Sequence, residues 1–415
     1  MKSHHKDTKT PRVIKYMNLQ EARSQFPALE QKVFLDAACV SLAPRTAVEA
    51  IHRFLEMAAG CPAPSSTQLH ISMDEIRAEA RPEAAKLIGA HEDEIALVES
   101  TTHGLTLAAN AIPLEKDDRV LICDLEYLQV AIPWSQKQGE IGIHIDPVPN
   151  RDGRIEIQDI EARIGARTRV VCISSVQWNN GFRCDLDALA ALCRERKVWL
   201  VVDAIQQLGA VPLDVRTTPV DIVACGGHKW LNAPFGNGFL YIRREALPRL
   251  RAPLAGYMSL ESPEGGWETY FQTPSITPFR DYRFVDKAWR FEVGGTAGYP
   301  ATAGLAASLK MINDLGPERI WDHILQLTDH LMRGLQILGI RVVTPAEREH
   351  RSGIVTFSVG DAAQNIALMQ RLLERKILVS VRYTSQVGGV RVSCHFFNSL
   401  ADLDALLNAV ETCRS

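Results

Sequence analysis

The chain has no apolar run long enough to span a bilayer, so a membrane-embedded role is not expected. Its nine cysteines are odd in number and include no Cys-x-x-Cys pair, which argues against a disulfide framework or a zinc site. They fit a reducing cytoplasm, with Cys172, Cys193 and Cys225 in apolar patterns as small core residues. Excess charge is also missing: a net charge of −3 and scattered basic residues give no electrostatic case for nucleic acid or an anionic membrane. No Gly-x-Gly-x-x-Gly follows the early strands, which disfavours a dinucleotide-binding oxidoreductase. There is no internal repeat and no low-complexity tract. The opening MKSHHKDTKTPRVIK is polar and basic without an apolar core behind it, so it is read as a loose arm and not a signal peptide. His4 and His5 within it are read as exposed side chains, and no metal is expected.

What is present is an ordinary globular composition, 46% hydrophobic and 23% charged over 415 residues, enough for two domains sharing one site. From Ile95 to Ile242 short apolar strands alternate with helical patterns, which predicts repeated βαβ units and a mostly parallel sheet. The centre of interest is KVWLVVDAIQQLGAVPLDVRTTPVDIVACGGHKW. VWLVVDA reads as a buried strand ending in Asp203, and DIVACGG as a second strand whose Gly-Gly turn presents His228 and Lys229. Ligands of such sheets bind at the carboxyl ends of the strands. A lysine there loses hydration, which lowers its pKa and frees the amine to form an imine. A buried aspartate needs a cationic partner, and a protonated ring nitrogen is one, as in pyridoxal phosphate. Taken singly, Asp203 could be a cap and Lys229 a surface lysine. Their joint occurrence with Gln206 and the flanking glycines favours the site.

With its strand-end Asp203, nearby Gln206 and His228-Lys229 pair, the chain resembles the class V aminotransferase family of pyridoxal-phosphate enzymes, which includes cysteine desulfurases, selenocysteine lyases, cystine lyases and isopenicillin N epimerase. The resemblance implies a fold-type I α/β enzyme: a large domain with a mostly parallel sheet sandwiched by helices, plus a smaller C-terminal α/β domain. The division expected is an arm over 1–36, a cofactor-binding domain over 37–296 and a small domain over 297–415. It implies that Lys229 forms the internal aldimine, that Asp203 pairs with the pyridine nitrogen, that Gln206 bonds the ring oxygen and that His228 lies on the phosphate side. Thr101 and Thr102, at the start of a helical run after EIALVES, become phosphate contacts with His103 as a helper; alone they read as helix caps. Tyr127 stands where desulfurases carry a ring-stacking histidine. A phenol keeps the platform but is a poorer acid near neutral pH. Ala37 and Ala38 resemble the loop beside the substrate carboxylate. Gln177 and Trp178 occupy the loop near the ring or substrate, and which of them points inward is open. Arg391, in VRVSCHFFNS, is the carboxylate-binding arginine by this resemblance. Thr296, in the Gly-Thr before a proline-opened helix, would reach a partner's phosphate, hence a homodimer; as a plain helix cap it would need no partner.

Desulfurases take sulfur on a mobile cysteine upstream of that arginine. This chain has none between Cys225 and Cys394, so persulfide transfer is not expected, and Cys394 is read as a packed thiol. The reading is an enzyme acting on an amino acid through an external aldimine and Cα deprotonation, first a carbon–sulfur lyase on a cysteine-type or β-substituted amino acid. An aminotransferase or an epimerase shares the same first step, and a non-catalytic binding relative is the remote alternative. A dicarboxylate substrate would favour a second cation, for which Arg280, Arg283 and Arg382 are available. The Pro-, Gly- and aromatic-rich stretch after Arg251 reads as a long surface excursion.

Overall fold

A computed structural model of the protein describes residues 17–413. The strands are β1 (Val33–Phe34), β2 (Ile95–Val98), β3 (Arg119–Cys123), β4 (His144–Val148), β5 (Thr168–Ser174), β6 (Trp199–Asp203), β7 (Ile222–Gly226) and β8 (Gly238–Ile242). They are followed by β9 (Arg341–Val342), β10 (Ile354–Ser358), β11 (Ile377–Leu378), β12 (Ser380–Thr384) and β13 (Val387–Ser393).

A seven-stranded sheet in the order β2-β8-β7-β6-β5-β3-β4 forms the large domain. β4, β3, β5, β6 and β7 run parallel, and β8 alone is antiparallel to both its neighbours. Every residue of β6, β7 and β8 is buried, which is why their sequences are continuous apolar runs and not alternating ones. Two hydrophobic clusters flank the sheet, one on each face, so the expected sandwich is what forms. The first βα turn is set by Ser100, whose side chain accepts from the His103 N–H and caps the helix Thr101–Ala111.

The small domain is a four-stranded antiparallel sheet, β12-β13-β10-β9, covered by the helices Pro317–Ile337, Ala362–Glu374 and Leu400–Cys413. Two expected boundaries move. The helix Tyr299–Leu315, placed with the small domain from the sequence, packs on the helices Arg45–Gly60 and Ala80–Ile88 of the large one, so the division falls at Gly316. Residues 17–36, grouped with the N-terminal arm from the sequence, pack on the small domain. Val33 and Phe34 pair in parallel with Ile377 and Leu378, Arg23 bonds Asp402 at 2.7 Å, and Phe26 packs on Phe396 and Phe397. Residues 17–36 therefore join the small domain beside the helix Leu400–Cys413, and the loop leaving β1 is carried toward the sheet's carboxyl edge. His4, His5 and the rest of 1–16 lie outside the described residues. Among the described residues no helix is long and apolar enough to cross a membrane.

Candidate active site

At the carboxyl edge of the large sheet one cavity opens between the two domains. β6 delivers Asp203 to it, the turn after β7 delivers His228 and Lys229, and the N-terminus of the helix Thr101–Ala111 delivers Thr101 and Thr102. Tyr127, Trp178 and Ala38 form its walls, and the small domain adds Arg382 and Arg391. The Gly-Gly turn is glycine for a steric reason. A Cβ on Gly227 would fall 1.9 Å from Asn237 Oδ1, and one on Gly226 2.8 Å from Thr101 Oγ1. The Gly226 N–H donates to that same Thr101 hydroxyl at 2.8 Å, which locks the helix N-terminus against the turn.

Burial sets the charges. It lowers Lys229 to about 8, against the attraction of Asp203. It raises Asp203 to about 6, opposed by the Ile205 N–H at 2.9 Å on Oδ1 and by Lys229. His228 is pushed down to about 4 by burial and by Lys229, so its imidazole is neutral near pH 7; it stacks on Phe235 at 4.9 Å. The Lys229 Nζ lies 5.9 Å from the Tyr127 ring centroid, and that ring meets Trp178 edge to face at 5.3 Å. Tyr127 is 47% exposed, which leaves a face of the ring open.

Arg391 is 1% exposed. It donates to the Trp178 carbonyl at 2.8 Å and to Asp36 at 3.1 Å, and its Nε has no hydrogen-bond partner. A buried guanidinium with an orphaned donor suits a carboxylate ligand. Together these groups match the chemistry of the expected cofactor. A helix N-terminus with Ser100, Thr101 and Thr102 suits a phosphate, an amine of lowered pKa suits an aldehyde, and a buried carboxylate suits a ring N–H.

Three sequence expectations change and one open choice closes. Gln206 does not line the cavity: its Nε2 donates to the Ala38 carbonyl at 3.1 Å and its Oε1 accepts from the Trp230 indole at 2.8 Å, so both ends of the amide are used. Its part in this arrangement is to hold the Ala38 loop. Of the pair left open, Trp178 faces the cavity, while Gln177 is buried and donates to Glu126 at 2.9 Å. His103 does not line the cavity; its Nδ1 accepts from the Glu99 N–H at 3.3 Å. Arg280 and Arg283 border a separate aromatic cleft with Trp267 and Tyr270, which leaves Arg382 as the second cation in the site. Thr296 is exposed and outside the cavity of its own chain. Cys394 is packed in the small-domain core, its thiol pushed up to about 12 by burial.

Three residues escaped the sequence reading. Asp36 is the counter-ion of Arg391. Cys39 lines the cavity next to Ala38. Glu126, one residue before Tyr127, is buried and accepts from the Ser174 N–H at 2.8 Å, from the Ser174 hydroxyl and from Gln177.

Comparison with known proteins gives a family and several relatives. A model of the family described as Aminotransferase class-V matches residues 33–406. A probable cysteine desulfurase of Pyrococcus abyssi is 26% identical, covering 94% of this chain and 96% of its own. A solved lysine-to-alanine variant of C-DES with glycine covalently linked to the PLP cofactor superposes with a TM-score of 0.84 at 25% identity, covering 94% of this chain and 98% of that one. A second structure, the cystine C-S lyase C-DES with its reaction product cysteine persulfide, gives 0.83 at 25% identity, over 93% of this chain and 99% of that one.

Proposed function

The chain belongs to the class V aminotransferase family, and from that premise we propose that it is a carbon–sulfur lyase acting on a cysteine-type or other β-substituted amino acid. It is an enzyme dependent on pyridoxal phosphate. When bound, that group supplies an electron sink next to the substrate Cα. The chain's own residues do the rest.

In this reading Lys229 would hold the cofactor through its amine and would serve as the base for the substrate Cα proton. An amine near pKa 8 is poised for both duties near neutral pH. Asp203 keeps a ring N–H protonated, and Thr101, Thr102 and the helix N-terminus take the phosphate, with neutral His228 beside them. Tyr127 provides the aromatic platform, Arg391 binds the α-carboxylate, and Ala38 with Trp178 closes the substrate side. Thr296 would act on the partner's site in a homodimer, and nine unpaired thiols suit a cytoplasmic setting.

The observation that carries the reading is the convergence of Lys229, Asp203 and Arg391 on one cavity: a nucleophile, an anchor for a cationic ring and a carboxylate receptor. A second reading, an aminotransferase for a dicarboxylate, is favoured by Arg382, which gives the cavity a second guanidinium. A screen of amino acids against the loaded enzyme, following keto acid, sulfide or thiol, and the cofactor spectrum together, separates the two. Sustained keto acid with sulfur release and an unchanged cofactor supports the lyase. A single-turnover change of the cofactor spectrum, restored by a keto acid, replaces it with the aminotransferase.

A further inference from the structure

Of the nine cysteines, Cys39 alone lines the active-site cavity. It is half-buried in the loop between β1 and the helix Arg45–Gly60, and the Arg382 Nη2 donates to its Sγ at 3.5 Å. Cys61 is exposed at the end of that helix, and the other seven thiols are buried. A second observation bears on what the thiol faces. Arg391, 1% exposed and lining the same cavity, spends its two Nη groups on Trp178 and Asp36 while its Nε stays without a partner. The cavity is thus lined by a guanidinium with an unpartnered donor and by a thiol beside a second guanidinium. An amino-acid anion that carries reactive sulfur on its side chain satisfies both.

We propose that Cys39 takes the outer sulfur of an amino-acid persulfide formed in this cavity. The inference rests on the carbon–sulfur lyase reading. When the Cβ–S bond of a disulfide-form amino acid such as cystine breaks, both sulfurs leave on the departing half, as the persulfide of cysteine. Cys39 Sγ attacks the outer sulfur of that product. A sulfur–sulfur bond forms at Cys39, the sulfur–sulfur bond of the persulfide breaks, and cysteine departs as a thiol carrying the proton that Cys39 gave up. Thiol and persulfide exchange places, so no oxidant or reductant is consumed. Arg382 lies beside Sγ, where negative charge passes between sulfurs, and the loop that carries Cys39 is tied down through Ala38 and Gln206. Sulfur would then be retained on the protein and passed on, in place of being lost as a diffusible persulfide.

The test uses the pyridoxal-loaded enzyme and cystine, quenched without reductant, with pyruvate measured and the cysteine peptides analysed by mass spectrometry. The expected result is one added sulfur atom on the Cys39 peptide, removed by a thiol reductant, and a rise in free persulfide per pyruvate in Cys39→Ser. Pyruvate formed while Cys39 stays unmodified would overturn the proposal. A second arm does not depend on turnover: cysteine persulfide, prepared from cystine and sulfide, is added directly to the loaded enzyme. Sulfur appearing on Cys39 ahead of exposed Cys61, and blocked at Cys39 by saturating alanine, supports the acceptor role. Labelling of Cys61 first, or at an equal rate, removes it. Absence of pyruvate in the first arm overturns the lyase reading and with it a persulfide formed in this cavity, whereas pyruvate with Cys39 unlabelled in both arms overturns the acceptor role alone.

Discussion

Asp203 and Lys229 stand at the carboxyl ends of neighbouring parallel strands, one closing β6 and the other just beyond the turn that ends β7, and each holds the other's charge in a cavity that burial would otherwise neutralise. Only the unprotonated lysine attacks an aldehyde. The rate at which the apo-protein captures pyridoxal phosphate should therefore rise with pH and level off above about 8. Asp203→Asn removes the attraction that favours the ammonium, so the midpoint should fall by about one unit. Stopped-flow absorbance of cofactor capture across pH reads both. A midpoint that stays put in the variant would mean the two groups are not coupled.

Arg391 recognises its ligand through geometry as much as charge. Arg391→Lys keeps the charge and loses the planar fork, and should raise KM for the amino acid by at least about tenfold, a loss of roughly 1.4 kcal/mol, with a smaller effect on kcat. Arg391→Ala goes further, since it leaves Asp36 with Ser380 as its remaining side-chain donor. A drop in the unfolding midpoint should accompany the KM effect there and be much smaller in the lysine variant. Steady-state kinetics paired with thermal melts distinguish the two contributions.

Glu126 offers a pH test of the wall that holds Trp178. Burial raises its carboxyl from 4.5 to about 7, despite the donors from Ser174 and Gln177. A carboxyl raised in the folded state contributes stability that is fully present below 4.5 and lost as pH rises to about 7. Glu126→Gln has nearly the same shape and does not ionise. Its stability advantage over the wild type should grow by at most about 1.4 kcal/mol per pH unit across that window and be constant above it. Denaturant unfolding at several pH values measures the difference; an advantage that shrinks as pH rises would show that the carboxylate, not the acid, is the form the fold prefers.

The sequence made the sheet and the chemistry at its edge legible because both depend on local pattern. β6 is an uninterrupted apolar run that ends in Asp203, β7 is one that ends in the Gly226-Gly227 turn, and Ser100 caps its helix through its own side chain. What it concealed depends on distant partners. The apolar face of Tyr299–Leu315 announces that it is buried but not against which domain, so the boundary was misplaced. Gln206 has the spacing of a cofactor ligand, yet Ala38 and Trp230, far from it in sequence, engage both ends of its amide. Cys39 sits in an unremarkable loop and becomes a cavity residue only because β1 pairs with β11 and brings that loop to Arg382. A thiol sought only between Cys225 and Cys394 could not have been found there.

The placement of Thr296 allows a test of assembly that does not depend on substrate identity. It is exposed in its own chain and does not line that chain's cavity, whereas a residue acting across an interface would complete the other subunit's site. Thr296→Asp should then weaken binding of the cofactor phosphate through like-charge repulsion, and Lys229→Ala should abolish turnover by its own route. In a mixed dimer the two defects fall on the same site: the subunit lacking Lys229 receives the aspartate, while the other keeps its lysine and receives an intact threonine. Mixing the two inactive proteins under conditions of subunit exchange should therefore restore activity, with one competent site per hybrid dimer. If Thr296 served its own subunit, the hybrid would carry one defect in each site and stay inactive. Activity measured against the fraction of hybrid, resolved by native mass spectrometry, decides between these arrangements.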